Sequence, residues 1–254
     1  MNDTNDFILE TVGLTKEFRG FVAVKGVSLK VRRGTIHALI GPNGAGKTTC
    51  FNLLTKFLTP TSGKILYRGK EITRTAPAEI ARQGLVRSFQ ISAIFPSCTL
   101  LENVRVALQR AHHGHSFDFW RSSKILRRLD VRARELLADV GLADSADNVA
   151  GELPYGRKRA LELATTLALE PEMLLLDEPT AGMGHEDVDR IEALIKKVSA
   201  NRTVLMVEHN LKIVANLSDT ITVLARGEIL AEGDYATVSK NPEVVDAYMG
   251  GQHA

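Results

Sequence analysis

The chain is poor in cysteine, with only Cys50 and Cys98 in 254 residues. Two thiols cannot frame a disulfide-stapled domain, and so few fits a reducing compartment. Long apolar runs are also missing. Stretches such as Met173 to Leu176 fall far below the roughly 20 residues a helix needs to cross a bilayer. Net charge is small, a formal +2, which gives no argument for a nucleic-acid partner. The opening MNDTNDFILE carries acids where a secretory leader has positive charge and then a long apolar stretch. No repeat or low-complexity tract interrupts the chain. Its 44% hydrophobic and 24% charged composition is that of a globular protein long enough to bury a sizeable core. Any work at a membrane is therefore expected from its cytoplasmic face, with the protein peripheral and held by partners.

What is present alternates short β-rich runs with longer helical ones, the pattern of a layered α/β core. Strands are expected at Phe7–Val12, Val22–Val31, Thr35–Ile40, Ile65–Tyr67 and Leu85–Phe89, with a helix at Pro77–Arg82. From Ser97 to Leu169 strand signals thin out. Thr99 and Glu102 form a capping-box pattern opening one helix, and a second is expected near Lys124–Val140 with Gly141 after it. Strands resume at Met173–Asp177, Thr203–Val207, Thr220–Leu224 and Glu228–Ala231, with helices at His185–Ser199 and Pro242–Met249. This reads as one domain over 1–254, with a core at about 1–96 and 171–254 and a helical subdomain inserted at about 97–170.

The strongest chemical signal is Gly41-Pro42-Asn43-Gly44-Ala45-Gly46-Lys47-Thr48-Thr49. It follows an apolar strand and opens a helix, the setting a phosphate-binding loop requires. Its backbone N–H groups can close on phosphate oxygens, and the helix N-terminus favours an anion. Lys47 would reach the β- and γ-phosphates and Thr48 would ligate Mg²⁺. Met173–Asp177 is a buried strand ending in a carboxylate, so Asp177 is expected near the same Mg²⁺. Glu178 is placed to polarise an attacking water as general base.

Leu-Asp-Glu-Pro-Thr180 followed by Val-Glu-His209, far downstream of the phosphate loop, resembles the ATPase cassettes of ABC transporters over nearly the whole chain. The resemblance implies a P-loop NTPase (RecA-like) core with an antiparallel β subdomain and the helical insertion. It makes Gln90 a Q-loop residue at the γ-phosphate and Mg²⁺ site, His209 the switch histidine, and Phe18 the aromatic that stacks on adenine. The other reading of Phe18 or Phe21 is packing within the β layer. The family's signature falls on Leu153-Pro154-Tyr155-Gly156-Arg157, ahead of a helix expected at Lys158–Leu169. That segment would face the ATP of a second cassette arranged head to tail. Pro154 stands where the family normally has a phosphate-donating serine, Arg157 adds a positive charge, and Ala181-Gly-Met-Gly184 lacks a customary aspartate. A weakened signature is expected, beside a competent phosphate loop.

Asn43 to Thr55, Gly84 to Gln90, the insertion between Arg110 and Arg134, and the ending Asn241 to Gly250 are similar to the larger ATPase of branched-chain amino acid importers. The implied partners are two transmembrane permeases, a second ATPase and, indirectly, an external solute-binding protein; ATP and Mg²⁺ are the implied cofactors, and no nucleic acid is expected. Phe117, Phe119 and Trp120 precede Arg121, Lys124, Arg127, Arg128, Arg132 and Arg134. That stretch reads either as a solvated helix face or as a contact for permease or anionic headgroups. The rival assignments are a lipopolysaccharide-exporting cassette and a soluble ABC ATPase of the iron–sulfur assembly type.

Overall fold

The computed structural model describes residues 6–88, 94–112 and 123–249. In chain order the strands are β1 (Phe7–Phe18), β2 (Phe21–Val27), β3 (Lys30–Arg32), β4 (Ile36–Ile40), β5 (Ser62–Tyr67), β6 (Lys70–Glu71), β7 (Leu85–Ser88), β8 (Met173–Asp177), β9 (Thr203–Val207), β10 (Thr220–Ala225) and β11 (Glu228–Gly233). The helices are α1 (Lys47–Leu54), α2 (Pro77–Arg82), α3 (Leu100–His112), α4 (Ser123–Asp139), α5 (Tyr155–Leu167), α6 (His185–Ser199), α7 (Leu211–Leu217), α8 (Tyr235–Val238) and α9 (Pro242–Met249).

Two sheets result. The central one has the order β11-β10-β4-β9-β8-β7, parallel throughout except for the antiparallel edge strand β11. The other is antiparallel and built on β1, which pairs with β2, β3 and β5, while β6 extends β5. Every residue of β4, β8 and β9 is buried, because a parallel sheet is covered on both faces. Their two-residue alternation divides the core. Ile36, Ala38, Ile40, Leu174, Leu176, Val204 and Met206 face the cluster that includes the helical segment's Leu100, Leu136 and Leu161. Leu39, Leu175, Leu205 and Val207 face the cluster shared with Phe51 of α1 and the antiparallel sheet's Ile8, Leu9 and Ile65.

The capping box forms as expected: the Thr99 N–H donates to Glu102 at 2.8 Å and the Glu102 N–H to the Thr99 hydroxyl at 3.1 Å. Three expectations are corrected. The first strand continues to Phe18, accommodated by register shifts where it changes partners. The expected strand Val22–Val31 breaks into β2 and β3, because the Thr11 side chain donates to Val27 O at 2.9 Å and accepts from Leu29 N–H at 2.8 Å, pinning the break. The helix expected from Lys158 begins at Tyr155, with Pro154 as its N-terminal flank at φ −56°, a dihedral that proline presets.

Candidate functional site

β4, β9 and β8 are adjacent and parallel, with Leu39 opposite Val207 and Val207 opposite Asp177. Their C-terminal ends therefore share one edge of the sheet, the side on which open α/β sheets carry ligands. The phosphate loop leaves β4, Asp177-Glu178 closes β8, and Glu208-His209 follows β9.

The loop is shaped by its neighbours. Gly46 flanks α1 at φ +97°, and a Cβ there would lie 2.4 Å from the Ala23 carbonyl oxygen of β2. Only glycine meets both conditions. The Lys47 ammonium curls back to donate to Gly41 O at 2.6 Å and Pro42 O at 3.0 Å. Burial holds that ammonium below the usual lysine range, partly offset by the nearby Glu178 carboxylate. A desolvated cation beside the backbone N–H groups of a glycine-rich loop and a helix N-terminus suits a polyphosphate. Thr48 and Thr49 lie in the first turn of α1.

Asp177 is buried, and Arg87 of β7 donates to its Oδ2 at 2.5 Å. Arg87 also donates to Asn52 Oδ1 at 2.6 Å, and its guanidinium lies 5.1 Å from the centroid of the Phe51 ring. Glu178 has φ +44°, a strained setting for a non-glycine residue, held by its N–H donating to Val207 O at 2.9 Å. Arg159 of α5, buried and paired with Glu162 at 2.7 Å, donates to the carbonyls of Asp177 at 3.2 Å and Glu178 at 3.3 Å. The helix that begins at the signature is thus tied to the backbone of both acidic residues.

Glu208 is fully buried. One of its oxygens accepts from the N–H and hydroxyl of Thr180, the other from His209 N–H at 2.9 Å and Asn210 N–H at 3.1 Å. It clamps the segment after β8 to the segment after β9. Neither Glu208 nor Arg87 stands out as a site residue in the sequence. An acid between an apolar strand and a candidate histidine was the available signal for the first; nothing local marked the second.

His209 is exposed on the same edge, its Nδ1 3.9 Å from Glu208. Phe18 and Phe21, 41% and 68% exposed, lie at the β1–β2 turn, so neither fills the core. The turn leads within two residues to Ala23, which touches Gly46. Lys16 Nζ sits 5.1 Å from the Phe18 ring centroid. Gln90, Phe117, Phe119, Trp120 and Arg121 lie outside the described residues, as do the side chains of Lys124, Arg127 and Arg128. The described Arg132 and Arg134 pair with Glu135 and Asp147, as a solvated face would.

In the signature segment Leu153 is buried and Pro154 and Tyr155 are exposed. Arg157 is turned inward to Ser145 Oγ at 3.0 Å. Gly156 is set by packing within the chain: a Cβ there would lie 2.4 Å from Cγ of Asp187 on α6.

A model of the ABC transporter family matches residues 24–181. The chain belongs to the ABC transporter family. It is an ABC ATPase cassette. A second model, of branched-chain amino acid ATP-binding cassette transporters, matches residues 228–254. The cassette is 42% identical over 249 residues to the high-affinity branched-chain amino acid transport ATP-binding protein BraF of Pseudomonas aeruginosa, covering 96% of this chain and 98% of the relative. It is 39% identical to LivG of Escherichia coli, with the same coverage. It is 37% identical to a probable LivG of Archaeoglobus fulgidus, covering 96% of each. Among solved structures it is similar to an ABC transporter cassette in its ADP conformation, with a TM-score of 0.83 and 32% identity over 96% of this chain and 99% of that one. A nucleotide-free cassette gives a TM-score of 0.82 and 31% identity, covering 95% and 98%. Among the described residues no helix is long and apolar enough to cross a membrane.

Proposed function

We propose that this cassette binds and hydrolyses MgATP at the C-terminal edge of β4, β9 and β8 to drive uptake of branched-chain or other hydrophobic amino acids through separate permeases. The carrying observation is the convergence of the phosphate loop, Asp177-Glu178 and Glu208-His209 on one edge of the sheet. The amino acid class draws its support from the relatives' transport names and from the match over 228–254, which takes in β11, α8 and α9, all remote in sequence from the loop.

The loop from Gly41 to Thr49 would wrap the phosphates with its N–H groups, and Lys47 would exchange its two loop carbonyls for phosphate oxygens. Among the described residues no group of three or more His, Cys, Asp or Glu could hold a metal. A hydroxyl from Thr48 and a carboxylate from Asp177 are hard oxygen donors suited to magnesium, which takes its remaining ligands from phosphate and water; Gln90 would add another. Bound there, magnesium would neutralise charge on the phosphate oxygens. Glu178 would accept the proton of the attacking water and His209 would hold that water against the γ-phosphate. Phe18 would stack on adenine.

Leu153 to Arg157 would face the nucleotide of a second cassette, the same chain or a paired ATPase, in a head-to-tail pair. The helices at about 97–170 would act as an arm on the core at 1–96 and 171–254. Next to that arm an apolar groove of about 490 Å³, lined by Phe57, Phe95 and Val106, is the surface we assign to the permease. The cassette would thus sit on the cytoplasmic face of the membrane.

The test is reconstitution with two permeases and a solute-binding protein. ATP turnover should rise when the binding protein carries leucine, isoleucine or valine. A flat response to every hydrophobic amino acid would remove the solute assignment.

A further inference from the structure

Asp177 does not wait for a metal with an unopposed charge. Its Oδ2 is held by Arg87 Nη2 at 2.5 Å, with the two side chains only 12% and 5% exposed. Arg87 is itself fixed from α1 and the residue that follows it, where Asn52 Oδ1 at 2.6 Å and Thr55 Oγ1 at 3.3 Å accept from Nη1. The guanidinium also lies 5.1 Å from the Phe51 ring centroid and 5.3 Å from that of Phe57. A buried carboxylate in this setting satisfies one positive partner well, and a second cation arriving at it meets both the loss of the first bond and repulsion from the guanidinium.

We propose that Arg87 competes with magnesium for the Asp177 carboxylate, and so sets how much magnesium this cassette needs to bind nucleotide tightly. The inference rests on the reading of Asp177 as the metal-side carboxylate. Arg87 is then a positioning residue, acting on the nucleotide only through Asp177. Binding is reciprocal, so magnesium nucleotide loosens Arg87 from Asp177 by the same factor that Arg87 weakens magnesium.

The test titrates magnesium at fixed ADP and follows nucleotide binding by calorimetry on the purified chain, with a parallel series in EDTA. Arg87→Met keeps most of the side-chain volume against Phe51 and Phe57 while removing the charge. The magnesium concentration for half-maximal binding should fall about tenfold, with ADP affinity in EDTA unchanged. Arg87→Lys, which restores a cation, should return the requirement toward that of the parent. If Arg87→Met does not fold, Asn52→Ala decides, because it removes one of the acceptors that anchor Nη1 and leaves every charge in place. It should lower the requirement two- to threefold.

An unchanged or raised requirement in whichever of these variants folds would overturn the proposal. So would an equal loss of affinity with and without magnesium, the mark of a merely structural role. Asp177→Asn separates the two levels. If it abolishes the magnesium dependence while Arg87→Met leaves the half-maximal magnesium concentration unchanged, only the competition fails. If Asp177→Asn also preserves it, the metal-site reading fails.

Discussion

Gly156 illustrates how one residue answers to a constraint that the local sequence does not display. Its position in the signature segment suggests close approach to a phosphate. The structure adds an obstacle inside the chain, with the Asp187 carboxylate lying where a side chain would go. The obstacle is the end of a flexible, partly exposed side chain, so Gly156→Ala is expected to turn the Asp187 carboxylate aside and to cost roughly 1 kcal/mol, the low end for overpacking. Chemical denaturation of the purified chain measures it. The double variant Gly156→Ala with Asp187→Ala should recover most of the loss, since neighbouring changes couple. Asp177, Glu178 and the phosphate loop were readable because each is a short contiguous pattern at a strand end. Arg87 and Glu208 were not, because their partners lie 90 and 28 residues away and only the fold brings them together.

Elements show the same division. β4, β8 and β9 were legible as apolar runs, since strands buried on both faces have no polar alternation to confuse them. The short helices α7 and α8 went unpredicted, although Asn210 and Asp234 cap them by accepting from Lys212 N–H at 3.1 Å and Thr237 N–H at 2.8 Å. Helices of seven and four residues carry too little periodicity to announce themselves. The start of α5 at Tyr155 follows from Pro154, and that residue also removes a hydroxyl from the segment we propose to face a second nucleotide. Pro154→Ser should raise ATP turnover of the assembled transporter several-fold, with little change in nucleotide affinity of the isolated chain; equal turnover would mean the departure carries no cost.

Between elements, Glu208 joins the ends of β8 and β9 through four donors. Glu208→Gln turns one acceptor oxygen into a donor facing N–H or O–H groups. The expected loss is roughly 2–4 kcal/mol, visible as a lowered midpoint in urea. An unchanged midpoint would mean the clamp is not stabilising.

For the whole molecule, pH enters through His37, buried in β4 four residues before the phosphate loop begins. The Thr222 hydroxyl donates to Glu232 at 2.7 Å, so it accepts from His37 Nε2 at 2.7 Å and fixes the ring as the neutral Nε2–H form. Burial pushes the imidazole down to about 4 from 6.5. The unfolded chain therefore takes up a proton between those values that the folded chain refuses. Stability is intact above pH 6.5 and is lost as pH falls toward 4, by at most about 3 kcal/mol. Urea midpoints across that window should drop in the parent, and His37→Gln should flatten His37's share of the drop. The two sheets and the helical segment meet in two continuous cores, and Arg87 lies where the Asp177 carboxylate and the apolar groove adjoin. A contact of that kind is a property of the assembled fold, beyond any pattern in the chain.

The most direct measurement is calorimetry of ATP binding, with and without magnesium, on the folded parent chain and on Lys47→Ala. The parent should bind ATP more tightly with magnesium. The variant, unchanged in fold by circular dichroism, should lose at least tenfold in affinity, because the ammonium now resting on the Gly41 and Pro42 carbonyls would no longer reach the phosphates. A parent indifferent to magnesium, or a variant that binds as the parent does, would contradict the assignment of this loop as the nucleotide site.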